Sequence, residues 1–244
     1  MIRLEGVSKS FDRVVLSDVD LDVPESCLFG LIGPGASGKS LLLRMITGLM
    51  RPDRGKVTVG GSDVLAMADM QLSEYRKGIG MLFQNNALFD FMTVAENIAF
   101  PLRRLFRLPE AEIAERVAER LSRVDLPGFE ARMPAGLSGG QKKRVGVARA
   151  TVTRAPLVLY DEPAAGLDPV TSQKIFDLLR AEQRAANSTV VMVSSDLDRL
   201  LTVTDRVGMM LDGRLIFEGT TEEAKNATDP RVYQFIHGKV DGPL

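Results

Sequence analysis

Four short stretches of the chain are almost entirely apolar. They lie at residues 28–32, 79–83, 157–160 and 189–193. A strand of a parallel sheet is covered on both faces, so its sequence is a continuous apolar run rather than an alternating one. Between these runs, apolar residues recur at helical spacing. The pattern therefore predicts an α/β chain built on a parallel sheet.

A second pattern mixes apolar and polar residues with a period near two. It covers residues 2–7 and 14–23 and predicts two antiparallel strands. Residues 57–59, followed by two glycines, predict another strand and turn. Near the carboxyl end, Asp212-Gly213 separates two apolar stretches and predicts a hairpin with a type I′ turn.

Helical periodicity predicts a helix that starts near Gly38 and a long helix over residues 169–184. The first helix is expected to bury Leu42, Met45, Ile46 and Leu49.

Between about residues 85 and 156 the character of the sequence changes. Apolar residues recur at helical spacing among charges there, at Ile113, Val117, Leu121 and Val124. This predicts a helical insert inside the α/β domain. The charged stretches 103–104 and 110–123 are interpreted as solvated helix faces.

Length and charge exclude several classes of protein. A chain of 244 residues is long enough for one elaborated domain and too short for two. Its formal net charge of -1 argues against nucleic acid as the main partner. Cys27 is the only cysteine, so neither a disulfide framework nor a cysteine metal cluster is expected. No apolar run approaches the roughly 20 residues that span a bilayer. We therefore expect a cytosolic chain whose membrane role would come through a partner.

The first candidate site is a complete P-loop between an apolar strand and an amphipathic helix. Its residues are Gly33, Pro34, Gly35, Ala36, Ser37, Gly38, Lys39 and Ser40. Glycines let main-chain N–H groups turn toward phosphate oxygens, and the helix adds its positive end. Lys39 is expected to reach the β- and γ-phosphates, and the Ser40 hydroxyl to ligate Mg²⁺. The predicted nucleotide-binding residues of the loop end at Ser40. Position 41 is expected to contribute no serine hydroxyl to the nucleotide.

Two carboxylates follow the apolar run 157–160. Asp161 is predicted to hold the Mg²⁺ shell, and Glu162 to orient and polarise the attacking water. Two acids at a strand end could also be plain solvated residues, but their pairing with a P-loop favours the catalytic interpretation.

A second anion cradle is predicted at the start of a helix. It consists of Ser138, Gly139, Gly140 and Gln141. The simpler interpretation is a helix N-cap, for which Ser-Gly-Gly is suitable chemistry. A chain with its own P-loop does not need a second cradle, so the alternative is that this one clamps the γ-phosphate held by another copy.

The chain resembles the ABC ATPase family over essentially its whole length. The resemblance lies in the order and spacing of three motifs: the P-loop, the Leu-Ser-Gly-Gly-Gln loop and the strand that ends in Asp-Glu-Pro. The resemblance implies one ABC ATPase domain over residues 1–244. It would have a RecA-like P-loop NTPase core, an antiparallel β subdomain and an inserted helical subdomain at about 85–156. ATP and Mg²⁺ would be its cofactors, and a second copy and a membrane permease its partners.

The resemblance also implies roles for three further residues. Phe11 is similar to the aromatic residue that stacks on adenine. Gln84 is similar to the glutamine that ligates Mg²⁺ and links that site to the transmembrane partner. Asp168 is similar to the aspartate that couples the two sites across the dimer.

One position departs from the family pattern. The residues after run 189–193 are Ser194, Ser195 and Asp196, where the family has Ser-His-Asp. Ser195 therefore stands where a histidine would touch the γ-phosphate, and hydrolysis is expected to be slow. The only histidine, His237, lies far along the chain and is interpreted as a surface residue.

The chain most resembles the ABC ATPases of phospholipid transporters that work with MCE proteins, the Mla type. The resemblance lies in residues 83–89, 92–97, 134–137 and the tail at about 228–244. It implies an MCE protein and a small STAS-type subunit as partners, and a place on the cytoplasmic face of the inner membrane through the permease.

Alternatives to this interpretation concern the tail and the activity. Val232, Phe235 and Ile236 form an apolar stripe that either packs on the chain's own core or docks on a neighbour. The chain could also serve another ABC transporter, or bind ATP while hydrolysing it weakly. An ABC protein that handles nucleic acid is disfavoured, because the coiled-coil or zinc insertions of such proteins are missing here and the charge is balanced.

Overall fold

The computed structural model describes residues 1–244, and its backbone forms two compact units. The first unit contains Met1–Glu74 and Thr189–Leu244, and the second contains Tyr75–Ser188. The boundary at Glu74 falls inside a helix, α2. The limits predicted for a helical subdomain, about 85–156, remain a prediction.

An antiparallel sheet of the first unit has the strand order β2-β1-β4-β5. The strands are β1 (Ile2–Ser10), β2 (Val14–Val23), β4 (Arg54–Val59) and β5 (Ser62–Asp63). Ile2, Leu4 and Val7 of β1 are fully or almost fully buried, while Arg3 and Glu5 between them are exposed. The antiparallel pairing of β1 with β2 was predicted from the alternating pattern and is confirmed.

A mixed group of strands in the same unit has the order β10-β9-β3-β8. It consists of β3 (Leu28–Ile32), β8 (Thr189–Val193), β9 (Arg206–Leu211) and β10 (Arg214–Thr220). β3 runs parallel to both β8 and β9, and every residue of β3 and β8 is buried, as the continuous apolar runs predicted. Asp212 and Gly213 have φ values of 47° and 76° between β9 and β10, which the predicted type I′ turn requires.

The helices of the first unit complete its core. They are α1 (Lys39–Ile46), α7 (Leu197–Val203), α8 (Thr221–Lys225) and α9 (Pro230–Ile236), while α2 (Asp69–Lys77) crosses the boundary between the units. α1 buries Leu42, Met45 and Ile46 as expected. The prediction for Leu49 was wrong: α1 ends before it, and Leu49 is 53% exposed.

The tail helix α9 packs on α8 of its own chain. Val232 is completely buried and Ile236 almost so, while Phe235 is half-buried and Tyr233 exposed. The Gln234 side chain donates to the Lys239 carbonyl (3.1 Å) and accepts from the Leu244 amide (2.8 Å), so it holds the residues that follow the helix. Packing on the chain's own core therefore accounts for two of the three apolar side chains of the stripe.

The second unit combines two parallel strands with four long helices. They are β6 (Ile79–Leu82), β7 (Leu157–Asp161), α3 (Val94–Leu105), α4 (Glu110–Arg123), α5 (Gly139–Thr151) and α6 (Pro169–Ala186). A capping box between Thr93 and Glu96 starts α3. α3 packs against α5 and α4, and Ile113, Val117 and Leu121 of α4 are buried as their spacing predicted.

The interpretation of residues 110–123 as a solvated helix face was wrong at Arg120. Arg120 of α4 is 5% exposed and pairs with Glu182 of α6, which is also buried. Arg123 reaches the same carboxylate at 3.2 Å. The charge pattern of α4 alone does not show that Arg120 has an acidic partner on α6, 62 residues later in the chain.

No helix of the chain is long and apolar enough to cross a membrane. The α/β fold class, with a P-loop after a buried parallel strand, is confirmed.

Candidate nucleotide site

The P-loop joins the carboxyl end of β3 to the first turn of α1. Gly33 and Gly38 have φ values of 137° and 97°. A Cβ atom at Gly33 would lie 2.0 Å from the Met210 carbonyl oxygen, and one at Gly38 would lie 2.4 Å from the Leu16 side chain. Only glycine fits these two positions, and the tight turn brings the loop's main chain round the start of α1.

Charge at this loop favours an anion. The first turn of α1 contains no acidic residue, and Gly38 offers no side-chain cap, so no carboxylate offsets the positive end of the helix. The Lys39 ammonium folds back over the loop and donates to the carbonyls of Gly33 (2.8 Å) and Pro34 (2.7 Å). A phosphate bound there would offer the ammonium stronger, charged acceptors than these carbonyls.

Position 41 marks the end of the phosphate-binding residues. It does not carry a serine: the residue is Leu41, which has no hydroxyl to offer a phosphate or Mg²⁺. Its amide donates to the Gly38 carbonyl at 3.0 Å, so its main-chain donor already belongs to the first turn of α1. Ser40 is therefore the last residue of the loop with a side chain suited to the nucleotide, and position 41 belongs to the helix alone.

A cleft of about 330 Å³ opens beside the loop. Its lining consists of Pro34, Gly35, Ala36, Ser37, Arg13, Val14, Val15, Asp212 and Gly213. The start of β2 thus forms one wall. Phe11 lies two residues before Arg13, and its ring is 58% exposed, with the Lys9 ammonium 5.6 Å from its centre. An exposed aromatic ring close in sequence to this wall suits base stacking, although its role as the adenine contact remains a prediction.

Ser195 lies at the same edge of the first unit as the P-loop. β3 and β8 are parallel neighbours, with Leu31 opposite Val193. Gly33 and Ser195 each follow that matched pair by two residues, so both lie just beyond the same end of two adjacent strands. Ser195 is exposed, and Asp196 next to it caps α7. This placement is consistent with the predicted role of Ser195 but does not test it.

Gln84 and Glu162 form a matched pair in the second unit. β6 and β7 are parallel, with Leu82 opposite Tyr160. Gln84 and Glu162 follow those residues by two positions each, at one edge of the strand pair. Asp161, the last residue of β7, is 7% exposed. The parallel strand pair therefore places the main chain of three residues that were predicted to surround Mg²⁺ and the attacking water at one edge.

The main chain at Glu162 adopts an unusual conformation. Its φ is 51°, in the left-handed region that residues with a Cβ atom seldom occupy. The Glu162 carbonyl accepts from the Ala165 amide at 3.3 Å, which closes a tight turn straight after the strand. Such strain is concentrated at functional sites, where it fixes the direction of a side chain.

Lys143 was missed by the sequence reasoning. Its ammonium donates to the carbonyls of both Gln84 (2.7 Å) and Glu162 (3.2 Å). Burial lowers the pKa of Lys143 from its ordinary value, and the nearby carboxylates of Glu162 and Asp161 oppose that shift. One signal was present: Lys143 shares the buried face of α5 with Val147 and Thr151, and a lysine at such a position needs polar partners.

Ser138 and Gln141 form a capping box at the start of α5. The Gln141 amide donates to the Ser138 hydroxyl (3.3 Å), and the Ser138 amide donates to the Gln141 side chain (2.9 Å). Within one chain the N-cap interpretation is therefore correct. Capping does not conflict with a second role toward another copy, since both use the same helix end.

Asp168 caps the next helix in the same way. Its carboxylate accepts from the amides of Val170 and Thr171, both at 3.0 Å. Hydrogen bonds from the Thr171 side chain and main chain hold the pKa of Asp168 below its usual range. A Cβ at Gly140 would lie 2.9 Å from the Thr171 methyl, so the starts of α5 and α6 touch, and Ser138–Gln141 and Asp168 belong to one surface.

Comparison with known proteins decides the family. Residues 16–165, more than half of the chain, match the family model described as ABC transporter. The chain belongs to this family. The predicted P-loop and the Asp161–Glu162 pair both lie within the matched residues.

Several curated relatives of this ABC protein serve different substrates. The intermembrane phospholipid transport system ATP-binding protein MlaF of Haemophilus influenzae is 37% identical, over 97% of this chain and 89% of the relative. The probable ribonucleotide transport ATP-binding protein mkl of Mycobacterium leprae is also 37% identical, over 100% of this chain and 70% of the relative. The methionine import ATP-binding protein MetN of Caulobacter vibrioides is 42% identical, over 91% and 68%.

A solved structure has the same fold. The ATP-binding cassette MJ0796, as a dimer in a post-hydrolysis state bound to ADP and Pi, matches with a TM-score of 0.84 at 31% identity. The match covers 91% of this chain and 99% of that one. The present chain is accordingly an ABC ATPase, the ATP-binding subunit of a transporter.

Proposed function

We propose that two copies of this chain bind two MgATP between them and that closure and hydrolysis power a phospholipid permease. The observation that carries the proposal is the pair of anion-binding helix starts: α1 after a complete P-loop, and α5 with Ser138 beside Asp168. One copy needs only the first for its own nucleotide. The dimeric state of the MJ0796 cassette supports a role for the second toward a partner copy.

In this proposal each residue of the site has one task. Lys39 neutralises the β- and γ-phosphates, and Phe11 stacks on the base. Ser40, Gln84 and Asp161 would hold Mg²⁺, which would neutralise charge on the phosphate oxygens. These donors are all oxygens, which Mg²⁺ prefers.

Glu162 orients and polarises the water that attacks the γ-phosphate. The left-handed main chain at this residue, just after β7, would set the direction of its side chain. The electron pair of the attacking water forms the new bond to phosphorus, the bond to the β-phosphate oxygen breaks, and Glu162 accepts the water proton. Ser195 contacts the γ-phosphate directly or through a water.

An apolar groove in the second unit supports the permease as a partner. It holds about 300 Å³ and is lined by β6, by the residues that follow β6, and by α3 and α5, including Phe83, Phe89, Phe100 and Leu105. Phe91 nearby is 76% exposed. Apolar surface of this kind marks interaction sites, and its position next to the Gln84 loop would let a permease segment sense the nucleotide.

The phospholipid substrate and an MCE partner rest on the Mla-type relatives. MlaF of Escherichia coli K12 is 35% identical over 96% of this chain, in addition to the Haemophilus influenzae protein. The stretches 83–89, 92–97 and 134–137 and the tail support the same branch. With an MCE protein and a small STAS-type subunit, the chain would sit on the cytoplasmic face of the inner membrane through its permease. MetN and mkl make other small substrates the alternative.

Reconstitution tests this substrate. The chain is assembled with its permease in liposomes, and ATPase turnover is measured with phospholipid alone, then with added methionine or ribonucleotide. We expect phospholipid to support turnover and ATP to drive lipid transfer to an acceptor. The assembly that carries Glu162→Gln is the control, since it keeps binding and loses hydrolysis. Stimulation by methionine or ribonucleotide without lipid transfer would contradict the phospholipid assignment.

A second candidate is an ABC module that closes on ATP and hydrolyses it poorly. Ser195 in place of a histidine favours it. Single-turnover hydrolysis by the assembled complex separates the two candidates, because a module of this kind would hold ATP through many minutes while a transport ATPase would not.

A further inference from the structure

Lys143 contacts two segments to which the proposed mechanism gives separate roles, one at Gln84 and one at Glu162. Its ammonium lies 2.7 Å from the Gln84 carbonyl oxygen and 3.2 Å from that of Glu162, and the residue is 5% exposed. Gln84 follows β6 and Glu162 follows β7. One side chain of α5 therefore contacts the residues that follow both strands.

Packing alone does not explain a lysine at this position. Removing an ammonium from water is unfavourable, and an apolar side chain of similar length would fill the same space without that cost. The lysine adds hydrogen-bond donors: its ammonium donates to two main-chain carbonyls, each of which would lose a partner if the residue were apolar.

The Glu162 carbonyl is the more informative of the two acceptors. Glu162 has a left-handed φ of 51°, and a residue with a Cβ atom keeps that conformation only when its surroundings enforce it. The carbonyl accepts from Lys143 and from the Ala165 amide. The same main-chain torsions set the direction of the Cα–Cβ bond of Glu162, so a group that holds the carbonyl also fixes where the side chain starts.

We propose that Lys143 is a positioning residue, which holds the main chain at Gln84 and Glu162 in register so that the Mg²⁺ ligand and the water-orienting carboxylate keep a fixed geometry. This rests on the proposed roles of Gln84 and Glu162. In this role Lys143 acts through the carbonyls of Gln84 and Glu162. Ser138 caps the start of α5, the helix that also carries Lys143. Lys143 would therefore connect the side-chain direction of Glu162 to the helix that would contact the partner copy's ATP.

Substitution by methionine removes the ammonium and keeps an unbranched chain of the same length as the four methylenes of lysine. Turnover and the KM for ATP are measured for Lys143→Met in the assembled transporter, beside Lys142→Met at the partly exposed neighbour as matched control. We expect the kcat of Lys143→Met to fall roughly 10- to 100-fold, the scale of a misplaced catalytic group, with nucleotide affinity within about two-fold of wild type. Lys143→Gln, which keeps a donor, should recover part of the turnover.

Hydrogen exchange gives a readout that does not depend on turnover. The Ala165 amide donates to the Glu162 carbonyl, so it should exchange several-fold faster in Lys143→Met and at the wild-type rate in Lys142→Met. Unchanged Ala165 exchange, or a kcat within two-fold of wild type, would overturn the proposal. An equal loss of ATP binding and turnover would also overturn it, since a positioning residue acts on kcat.

Glu162→Gln in the same assay separates this inference from the proposed function. If Glu162→Gln abolishes turnover and Lys143→Met does not change it, only the role of Lys143 is wrong. If Glu162→Gln retains turnover, the assignment of Glu162 itself is wrong.

Discussion

Ser195 follows β8, which is a parallel neighbour of β3, the strand that leads into the P-loop. A serine hydroxyl is shorter than an imidazole, so its contact with a γ-phosphate would run through water. We predict a slow wild-type ATPase. Ser195→His should raise turnover of the assembled transporter by at least ten-fold, because one preorganised donor is worth about 100- to 1,000-fold in comparable sites. Steady-state phosphate release at saturating ATP measures it.

Ser195→Ala is the companion variant. It removes the hydroxyl without adding a ring, so it should be slower than wild type if a water-bridged contact exists. Nucleotide affinity should stay within a few-fold in both variants. A wild type that already turns over at about 1 s⁻¹ or faster, together with no gain in Ser195→His, would place the γ-phosphate contact on another residue.

Residue-level chemistry was the most predictable part of the site from sequence. The P-loop depends on Gly33 and Gly38, whose positions the structure leaves too tight for any other residue. Lys143 was not predicted, because its partners are main-chain carbonyls, which every residue has. A sequence shows where a donor is, but not which carbonyl the fold will turn toward it.

At the scale of elements, the buried pair between α4 and α6 makes a stability prediction. Arg120→Ala leaves the Glu182 carboxylate buried with only the partial help of Arg123, so unfolding should become easier by about 3–5 kcal/mol. Replacing both residues, as Arg120→Leu with Glu182→Leu, should cost clearly less, since no unpaired charge stays buried. Equilibrium unfolding in urea measures both variants.

Arg116→Ala is a suitable control for that experiment. Arg116 of α4 pairs with Glu112 one turn away, and both side chains are more exposed. It should cost less than about 1 kcal/mol. If Arg120→Ala proves equally mild, the buried pair is not what joins α4 to α6.

Elements with a single strong pattern were predicted well, and elements without one were not. The fully buried strands β3 and β8 were found because both faces are covered. The short helix α2 buries only Leu72, so its sequence has no apolar stripe to detect. The prediction that Leu49 is buried was wrong for a related reason: apolar residues continue at helical spacing past Ile46, where α1 ends.

For the whole molecule, the proposal requires two chains. Glu162→Gln should form a dimer on MgATP, because it keeps the P-loop and the Ser138 cradle but cannot hydrolyse the nucleotide that holds them together. Size-exclusion chromatography with light scattering should give twice the chain mass with MgATP and the chain mass in EDTA. The double variant with Lys39→Ala should stay monomeric. A monomer under all conditions would mean that the permease, and not ATP, brings the copies together.

The position of β3 between two strands from the other end of the chain has a consequence for biosynthesis. β3 pairs with β8 and β9, and Leu28 lies opposite Val190, about 160 residues later. At roughly 5–20 residues per second, β3 waits roughly 8–30 seconds on the ribosome before its partners exist. During that time its five apolar residues, 28–32, have no sheet to join, and the P-loop that follows has no fixed frame. The stretch that binds nucleotide is thus translated early and completed late, so we expect nascent chains that stop before residue 189 to need chaperone protection and to bind no ATP.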